Sequence, residues 1–538
     1  MLKRRLQFLI ALVSILAATA RAQSVSLPTT HEIYDFLKRL EARGILHEYR
    51  DAFKPLSRMA IAKQLASVQA KLDLLTTYER DTYEYLKSEF SYELGSLAGD
   101  PDPTDLRWRL LSADLTDGII NFDLNARLQW FRSGSENVRL RAQGARFYGY
   151  AFKDVGFSFN FVDYREAGNA VDFGKANTPE PGIVHTRSGP EFLEYNTTEA
   201  QLSWQVGEFT LSLEKLQNVW GYGARGNVIL SRKSPSPPQF KLRVPIASWL
   251  DFVYVLADLH SNAIDSARSY RTYSSNLIDF YRPVYRSKYM AGHGLEFSII
   301  DGLDLSLGET VIYSDKNIQL LYLLPVMFFK SGEHYNRDTD NIQWYGSLDV
   351  NLIRNTNLYL SVLIDEISTD DLLNPGRARN QLGYTIGGRI YDFPVRNVEV
   401  ALEYTRLNPW VYTHKYPAAT FTNNGYDMGH WIGQNADLLY AAIVLTPVRQ
   451  VRLEGFFDKY RKGGLKDIAF QYQTPSQPFL YGPVHREQTF GFSGRYQFAR
   501  DAFLFGSLRL IDRSDEANPG LNDNSRTEFR VGVEYGVW

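Results

Sequence analysis

The stretch Val398-Glu399-Val400-Ala401-Leu402-Glu403-Tyr404-Thr405 decides the fold class of this chain. Apolar and more polar side chains alternate along it, which is the period of a β-strand with two different faces. The same alternation recurs at residues 490–498 and 529–535. From residue 118 onward, segments of this kind follow one another, separated by turn residues and without a long helical pattern. The sequence therefore predicts a mainly β protein.

The composition excludes several classes of protein. The chain has 538 residues, no cysteine, a formal net charge of −2, and 14% aromatic residues with 34 Tyr and 32 Phe. It lacks an apolar run of the roughly 20 residues that a membrane-spanning helix needs. The small net charge argues against a nucleic-acid-binding protein that neutralises phosphates, and without cysteine there is no disulfide framework. The large number of aromatic residues requires an explanation.

The lengths of the connections distinguish a soluble β-sandwich from a membrane barrel. We count about eighteen strands, and short turns alternate with long loops along nearly the whole series. Residues 152–154 and 499–501 are short turns, for example, whereas 216–239 and 406–437 are long loops. Outer-membrane barrels have short periplasmic turns and long external loops. We therefore predict an outer-membrane antiparallel β-barrel of about 18 strands over residues 105–538.

Two further features agree with a barrel. The last alternating segment runs to a terminal aromatic residue, Trp538, which resembles the terminal signal of bacterial outer-membrane proteins. Barrels also carry girdles of aromatic residues at both membrane interfaces, which would account for most of the Tyr and Phe. The predicted location is the bacterial outer membrane.

The first residues predict export from the cytoplasm. Basic residues at positions 3–5 precede an apolar stretch at 6–20, and Ala20-Arg21-Ala22 has the small-x-small pattern of a cleavage site. This arrangement predicts a secretory signal peptide at residues 1–22, because the apolar run is too short to span a bilayer.

Residues 23–104 are predicted to form a small α-helical periplasmic module. Apolar residues at 33, 36, 37 and 40 have the spacing of one helix face. Thr76 and Thr77 are both suitable N-caps for a later helix. An even number of strands leaves both chain ends on the periplasmic side, so the module belongs there. It could cap or plug the barrel, or it could bind the cell wall.

The second alternative rests on a resemblance. The stretch from Tyr34 to Ala62 is similar to one S-layer-homology motif, with Arg58 at the position of the motif's arginine. That family binds cell-wall polymers, so the resemblance implies that residues 30–95 bind peptidoglycan. The motif normally occurs in tandem copies, and Ala60 replaces the acidic residue that usually follows the arginine.

Three loop segments resemble the capsule-assembly Wzi family of outer-membrane proteins. They are Val219-Trp220-Gly221-Tyr222-Gly223-Ala224-Arg225-Gly226-Asn227-Val228-Ile229-Leu230-Ser231, the segment 324–341 with Glu333-His334-Tyr335, and the segment 404–437 with Gly429-His430-Trp431. With the strands, the resemblance covers most of residues 105–538. It implies a lectin-like protein that binds or organises capsular or exopolysaccharide without catalysis. A diffusion or substrate-specific porin is the alternative, because a barrel of this size has a polar lumen.

The same loops contain the residues expected to bind glycan. Flat aromatic faces suit the C–H surfaces of sugars, while planar polar groups bond hydroxyls and the arginine fork matches carboxylates. The candidates are Trp220, Tyr222, Arg225, Asn227, Glu333, His334, Tyr335, Trp410, Tyr412, His414, His430, Trp431 and Asn435. For each of them, the alternative is that it packs the loops against one another.

We expect no metal, no cofactor and no catalytic residue. The nine His residues lack zinc-ligand spacing. Residues 221–226 contain GxGxxG, but they follow a strand without a crossover helix, so a dinucleotide site is not expected. An outer-membrane hydrolase would need a convergent Ser/His/Asp or dicarboxylate set, which the sequence does not indicate. The expected partners are surface polysaccharide, outer-membrane lipid and lipopolysaccharide, and no nucleic acid.

Overall fold

The alternating segments form one closed antiparallel barrel. Among the described residues, eighteen strands make up its wall, and the last strand closes on the first through Phe529 and Arg132. In chain order the strands are β1 (Gly118–Ser133), β2 (Glu136–Ala151), β3 (Val155–Gly168), β4 (Phe192–Val206), β5 (Phe209–Lys215), β6 (Pro238–Ala247), β7 (Leu250–Ile264), β8 (Tyr285–Ile300), β9 (Leu303–Ser314), β10 (Asn341–Val350), β11 (Thr356–Glu366), β12 (Gln381–Tyr391), β13 (Val398–Leu407), β14 (Ala436–Val448), β15 (Val451–Gly463), β16 (Val484–Ala499), β17 (Ala502–Asp515) and β18 (Arg526–Tyr535). The predicted barrel of about 18 strands is confirmed.

The structure is a computed structural model. It describes residues 25–100, 105–115, 117–152, 154–273, 279–367, 380–464, 468–473, 475–521 and 525–536. The predicted signal peptide (1–22) and Trp538 lie outside these residues. Two short strands, Leu111–Leu115 and His185–Gly189, pair with the barrel wall.

The two faces of the wall differ in polarity, as β13 illustrates. Leu402 points outward and is 58% exposed, whereas Glu403 points into the lumen and is 1% exposed. Large apolar side chains such as Ile443 and Phe490 are similarly exposed on the outer surface. An apolar outer band around a closed antiparallel barrel is the architecture of outer-membrane proteins. Within the described residues, no helix combines the length and the apolar character needed to cross a bilayer.

The two ends of the barrel differ in loop length, as predicted. At one end the strands are joined by short connections at 152–154, 207–208, 248–249, 301–302, 351–355, 392–397, 449–450 and 500–501. At the other end, only the β1–β2 connection is short. The short-turn end is the periplasmic end, and the long loops are external.

Over residues 25–100, four helices precede the barrel: α1 (Ile33–Ala42), α2 (Arg58–Gln69), α3 (Thr77–Glu89) and α4 (Ser91–Leu97). Their apolar faces form a common core of residues such as Ile33, Leu37, Leu40, Ile61, Leu65 and Leu86. Ser57 caps α2 by accepting a hydrogen bond from the Ala60 N–H. Thr76 caps α3 in a reciprocal capping box with Glu79.

The helical segment, residues 25–100, closes the short-turn end of the barrel, and we call it the plug. Arg39 bonds Asp392 at 2.7 Å, and the Tyr85 hydroxyl bonds Asp501 at 3.1 Å, both at short turns. The plug also reaches inside the wall, where the ammonium of Lys38 lies 2.9 Å from the carboxylate of Asp349 on β10. Two alternatives were considered for this segment, a plug of the barrel and a cell-wall-binding module. The structure has the segment docked in the barrel.

Candidate functional site

One external loop descends into the lumen and meets the plug. In this inner loop, residues 216–237, Trp220 is fully buried and its backbone pairs with Phe53 of the plug. The Trp220 ring lies 5.2 Å from the Phe53 ring and 5.7 Å from the ring of Tyr345 on β10. The inner loop therefore belongs to the core of the lumen.

The other candidates in the inner loop are also engaged by the protein itself. Tyr222 is buried, and its ring lies 5.2 Å from the ammonium of Lys38. Arg225 pairs with Asp458 on β15. The Asn227 side chain donates a hydrogen bond of 2.8 Å to the Gly221 carbonyl. These contacts hold the loop in its descending path.

The glycine-rich run in this loop serves close packing. Gly226 has φ +153°, and a Cβ atom there would lie 2.8 Å from the His430 ring. Gly221 has φ +81°, a conformation that favours glycine. The path of the loop thus accounts for glycines of the GxGxxG pattern.

A second external loop, residues 408–435, covers the inner loop, and we call it the cap loop. The Tyr412 hydroxyl donates to the Val228 carbonyl at 2.6 Å and accepts from the His430 N–H at 3.1 Å. The indole N–H of Trp431 donates to the Arg225 carbonyl at 2.7 Å. Burial lowers the pKa of His430 to about 3, so its ring is neutral at physiological pH.

Trp410 and Asn435, at the two ends of the cap loop, are likewise buried. The Asn435 side chain donates to the Tyr481 carbonyl and accepts from the Leu480 N–H, at 3.0 and 2.8 Å, which joins a third external loop. His414 is only partly buried, and its ring lies 5.4 Å from the exposed ring of Tyr416 at a tilt of 51°. Burial, together with the charge of Lys415, lowers the pKa of His414 to about 4.

The last three candidates lie on the outer wall of the barrel. Glu333, His334 and Tyr335 belong to a short helix, α5 (Phe329–Tyr335), between β9 and β10. Glu333 pairs with Lys330, whereas the His334 and Tyr335 side chains are mostly exposed. The structure therefore places the predicted residues in two regions: the inner loop and the cap loop, which fill the external part of the lumen, and this outer helix.

An exposed aromatic hairpin at the external end was not among the predicted residues. It consists of Tyr270–Tyr273 paired with Asp279–Arg282, and we call it the external hairpin. Its aromatic side chains are all at least half exposed: Tyr270, Tyr273, Phe280 and Tyr281. Arg271 lies opposite Tyr281, and Arg282 lies opposite Tyr270. The sequence of this loop is rich in Tyr and Arg, and this composition could have identified it as a candidate glycan-binding segment.

A polar chamber of about 510 Å³ remains between the plug and the two interlocked loops. Its lining includes Asp35, Lys38, Arg225, Arg389, Arg452 and Glu454. Below it lies the plug and above it lie the loops, so the lumen is filled from both ends. The chamber can hold water around its charged groups.

Among the described residues, two groups of side chains have a spacing that could suit a metal ion. Ligand atoms of Glu41, Asp304 and Asp349 lie within 4.8 Å of one another, but the Lys38 ammonium is 2.9 Å from two of these carboxylates and supplies the positive charge. The second group is Glu333, His334 and Asp338, in which Glu333 is already paired with Lys330. In both groups a lysine ammonium already pairs with the carboxylates, so we do not assign a metal site to either.

A known protein family and several solved structures are similar to this chain. The family model "Capsule assembly protein Wzi" matches residues 160–511. Wzi of Escherichia coli, described as a carbohydrate-binding β-barrel involved in group 1 capsule assembly, is similar in structure with a TM-score of 0.57 and 12% identity, covering 95% of this chain and 99% of that one. OprD of Pseudomonas aeruginosa has a TM-score of 0.43 and 15% identity, covering 78% and 93% of the two chains. No curated protein sequence matches this chain.

Proposed function

Because this chain belongs to the capsule assembly protein Wzi family, we propose that it binds surface polysaccharide at the external end of its outer-membrane barrel. In this proposal the protein is lectin-like and has no catalytic role. E. coli Wzi, which has the same fold, is described as carbohydrate-binding and involved in capsule assembly. Capsular or exopolysaccharide is the proposed ligand.

The external hairpin is the observation that supports this proposal most directly. Tyr270, Tyr273 and Tyr281 offer flat faces to solvent, beyond the wall formed by β7 and β8. Arg271, which also pairs with Asp279, and Arg282 lie across the hairpin from two of these rings. Aromatic faces combined with arginine forks suit sugars that carry carboxylate groups. The hairpin is therefore proposed as the main contact with an anionic polysaccharide.

The predicted glycan-binding residues divide into two roles under this proposal. His414 and Trp431 retain exposed surface on the cap loop and are proposed to contact polysaccharide. The buried members, such as Trp220 and Tyr412, are proposed to hold the loops in position. Sugar binding by any of these residues stays a prediction.

The porin alternative has less support. The plug and the inner loop meet within the lumen, and buried apolar residues such as Ile312, Tyr345 and Leu363 surround the contact. A diffusion channel requires a continuous aqueous path, which this packed region would obstruct. We expect planar-bilayer recordings of the purified protein to give no steady conductance.

Binding of peptidoglycan by residues 30–95 also stays a prediction. Arg58, the arginine of the S-layer-like motif, is 1% exposed and bonds Glu89 and Glu93 within the plug. This arrangement supports a role in the stability of the plug. Retention of the purified protein on isolated peptidoglycan would favour the wall-binding alternative.

The proposed function is tested by deleting the gene and measuring cell-associated and released polysaccharide. Deletion should release polysaccharide into the medium, and the wild-type gene should restore retention. A variant with Tyr270→Ser, Tyr273→Ser and Tyr281→Ser should restore it poorly. The matched control is Phe152→Ser, because Phe152 is 79% exposed at the opposite end of the barrel. Unchanged cell-associated polysaccharide after deletion would contradict the proposal.

A further inference from the structure

The loop between β9 and β10 folds down along the outside of the barrel. We call residues 315–340 the outer strap; it contains a 3-10 turn at Leu320–Leu323 and helix α5. Its Tyr322 and Phe329 are fully buried against the outward face of the wall. The wall residues beneath them include Phe252, Tyr254, Ala291, Val311, Tyr313 and Ile342. The strap is therefore packed firmly against the outer surface of the barrel.

The hydrogen bonds of the strap fix how far it descends. The Phe329 N–H donates to the Glu309 carboxylate on β9 at 2.6 Å. Glu309 is six residues beyond Leu303 at the periplasmic end of β9. At about 3.3 Å per residue and a strand tilt near 40°, this contact lies roughly 15 Å above that end of the strand. The apolar band of such barrels is about 25 Å tall, so the strap reaches into the membrane region.

Glu309 provides a polar anchor within this apolar surface. The other oxygen of its carboxylate accepts from the Trp344 indole N–H at 3.3 Å, and the His293 imidazole lies 3.3 Å away. A backbone N–H in hydrocarbon must find a partner, because an unsatisfied one costs several kcal/mol. Glu309 meets this need for Phe329. At the tip of the strap, the Met327 N–H donates to the Leu324 carbonyl.

The exposed side of the strap is graded in polarity. At its upper ends, Lys316 bonds Asp340 at 2.7 Å. Its lower part exposes a set of large apolar side chains: Leu320, Leu324, Val326 and Phe328, which are 79, 54, 87 and 57% exposed. The polar ends thus lie toward the external surface, and the apolar tip points toward the middle of the membrane.

We propose that the outer strap is a re-entrant element seated in the outer leaflet, where its apolar tip contacts lipid acyl chains. The tip is continuous with the lipid-facing wall, since Leu307 of the adjoining strand β9 is itself 48% exposed. Lipid is therefore the occupant that the surroundings favour. The strap would anchor one side of the barrel at a fixed depth, while the α5 residues His334 and Tyr335 lie higher, toward the headgroups.

Because the chain has no cysteine, single-cysteine spin labels can test this directly. Val326→Cys would be labelled in the full-length protein in liposomes, with Leu307→Cys as a lipid-facing control and Tyr273→Cys as an aqueous control. Collisions with oxygen report lipid, and collisions with a water-soluble nickel chelate report water. We expect the Val326 label to match the Leu307 label.

Two results would overturn the proposal. One is a Val326 label with the nickel accessibility of the Tyr273 label, which would place the strap in water. The other is a label shielded from both reagents with dipolar coupling between two copies, which would make a second barrel the occupant. Glu309→Leu should release the strap and increase label mobility at Val326, whereas Glu309→Gln keeps an acceptor for the Phe329 N–H and should change it less.

Discussion

Phe53 and Trp220 meet edge to face inside the barrel, with ring centroids 5.2 Å apart. Phe53 belongs to the plug and enters from the periplasmic end, whereas Trp220 belongs to the inner loop and enters from the external end. Their backbones also pair as a short antiparallel sheet. The plug and the inner loop, which close the lumen from opposite ends, therefore share one continuous core. Disturbing the contact between Phe53 and Trp220 should loosen both of them.

Phe53→Ala tests this connection. Removing a fully buried phenylalanine side chain typically lowers the free energy of unfolding by about 3–5 kcal/mol. We expect a lower thermal unfolding midpoint in detergent and intermittent conductance in planar bilayers. Phe152→Ala is the control, because that exposed side chain should change the free energy by less than about 0.5 kcal/mol. A Phe53→Ala variant as stable and as closed as the wild type would show that the two closures are independent.

Lys38→Met tests the attachment of the plug to the wall. The Lys38 ammonium lies 2.9 Å from carboxylates of Glu41, Asp51 and Asp349. Removing it takes away the one ammonium that these three buried carboxylates share, and breaking a buried ion pair typically costs about 3–5 kcal/mol. We expect faster protease cleavage within residues 25–100, measured on the protein in liposomes. Lys63→Met, at an exposed position of α2, should leave the cleavage rate unchanged.

A third prediction concerns pH and the buried carboxylate of Glu89. Burial alone would raise the pKa of Glu89, but three neighbouring arginines hold it well below its ordinary value of 4.5. These arginines are Arg107, Arg109 and Arg58. A depressed folded-state pKa means that the stabilisation is complete above pH 4.5 and is lost as the pH falls through the folded-state value.

We expect the unfolding midpoint to fall on acidification, and to fall more in the wild type than in Glu89→Gln. Unfolding midpoints between pH 7 and pH 3 would measure it. Glu89→Gln should already be less stable at pH 7, because it removes the carboxylate charge that three buried arginines share. Glu84→Gln, at an exposed position of α3, should retain the wild-type pH dependence. If the unfolding midpoints of Glu89→Gln and the wild type changed with pH in parallel, the acid sensitivity would belong to groups other than Glu89.

The strands were predictable because each barrel strand carries its own period of two, visible without knowing its neighbours. Val398, where the alternating stretch begins in the sequence, is also the first residue of β13. The helix start at Thr76 was also visible, because the capping box is local. The alternation of turn and loop lengths then supplied the orientation.

The paths of the external loops could not be predicted in the same way. Burial of Trp220 depends on a partner in the plug, and burial of Tyr412 depends on the Val228 carbonyl in another loop. An aromatic residue in a long loop is equally compatible with sugar binding and with packing until such contacts are known. The descent of the outer strap likewise depends on Glu309, which reads in the sequence as an ordinary polar residue of a strand.

The external hairpin should bind anionic polysaccharide in a salt-dependent manner. Arg271→Gln with Arg282→Gln removes two exposed positive charges. At physiological ionic strength, salt largely screens the attraction between exposed charges that are more than about 8 Å apart. We expect the double variant to bind an acidic polysaccharide several-fold more weakly at low salt and to lose the salt dependence. Binding of a neutral polysaccharide, measured by the same surface-based assay, is the control and should change little. Equal loss for both ligands would indicate that the hairpin had misfolded.

The last prediction separates loop packing from ligand contact on the cap loop. Tyr412 is 1% exposed and bonds two loops through its hydroxyl, whereas the neighbouring Tyr416 is 45% exposed. Tyr412→Phe should lower the free energy of unfolding by about 1–2 kcal/mol, since a typical intramolecular hydrogen bond contributes about 1 kcal/mol. Tyr416→Ser should leave the unfolding midpoint unchanged and weaken polysaccharide binding. If Tyr412→Phe reduced binding at full stability while Tyr416→Ser had no effect, the sugar contacts would lie deeper in the loops than we propose.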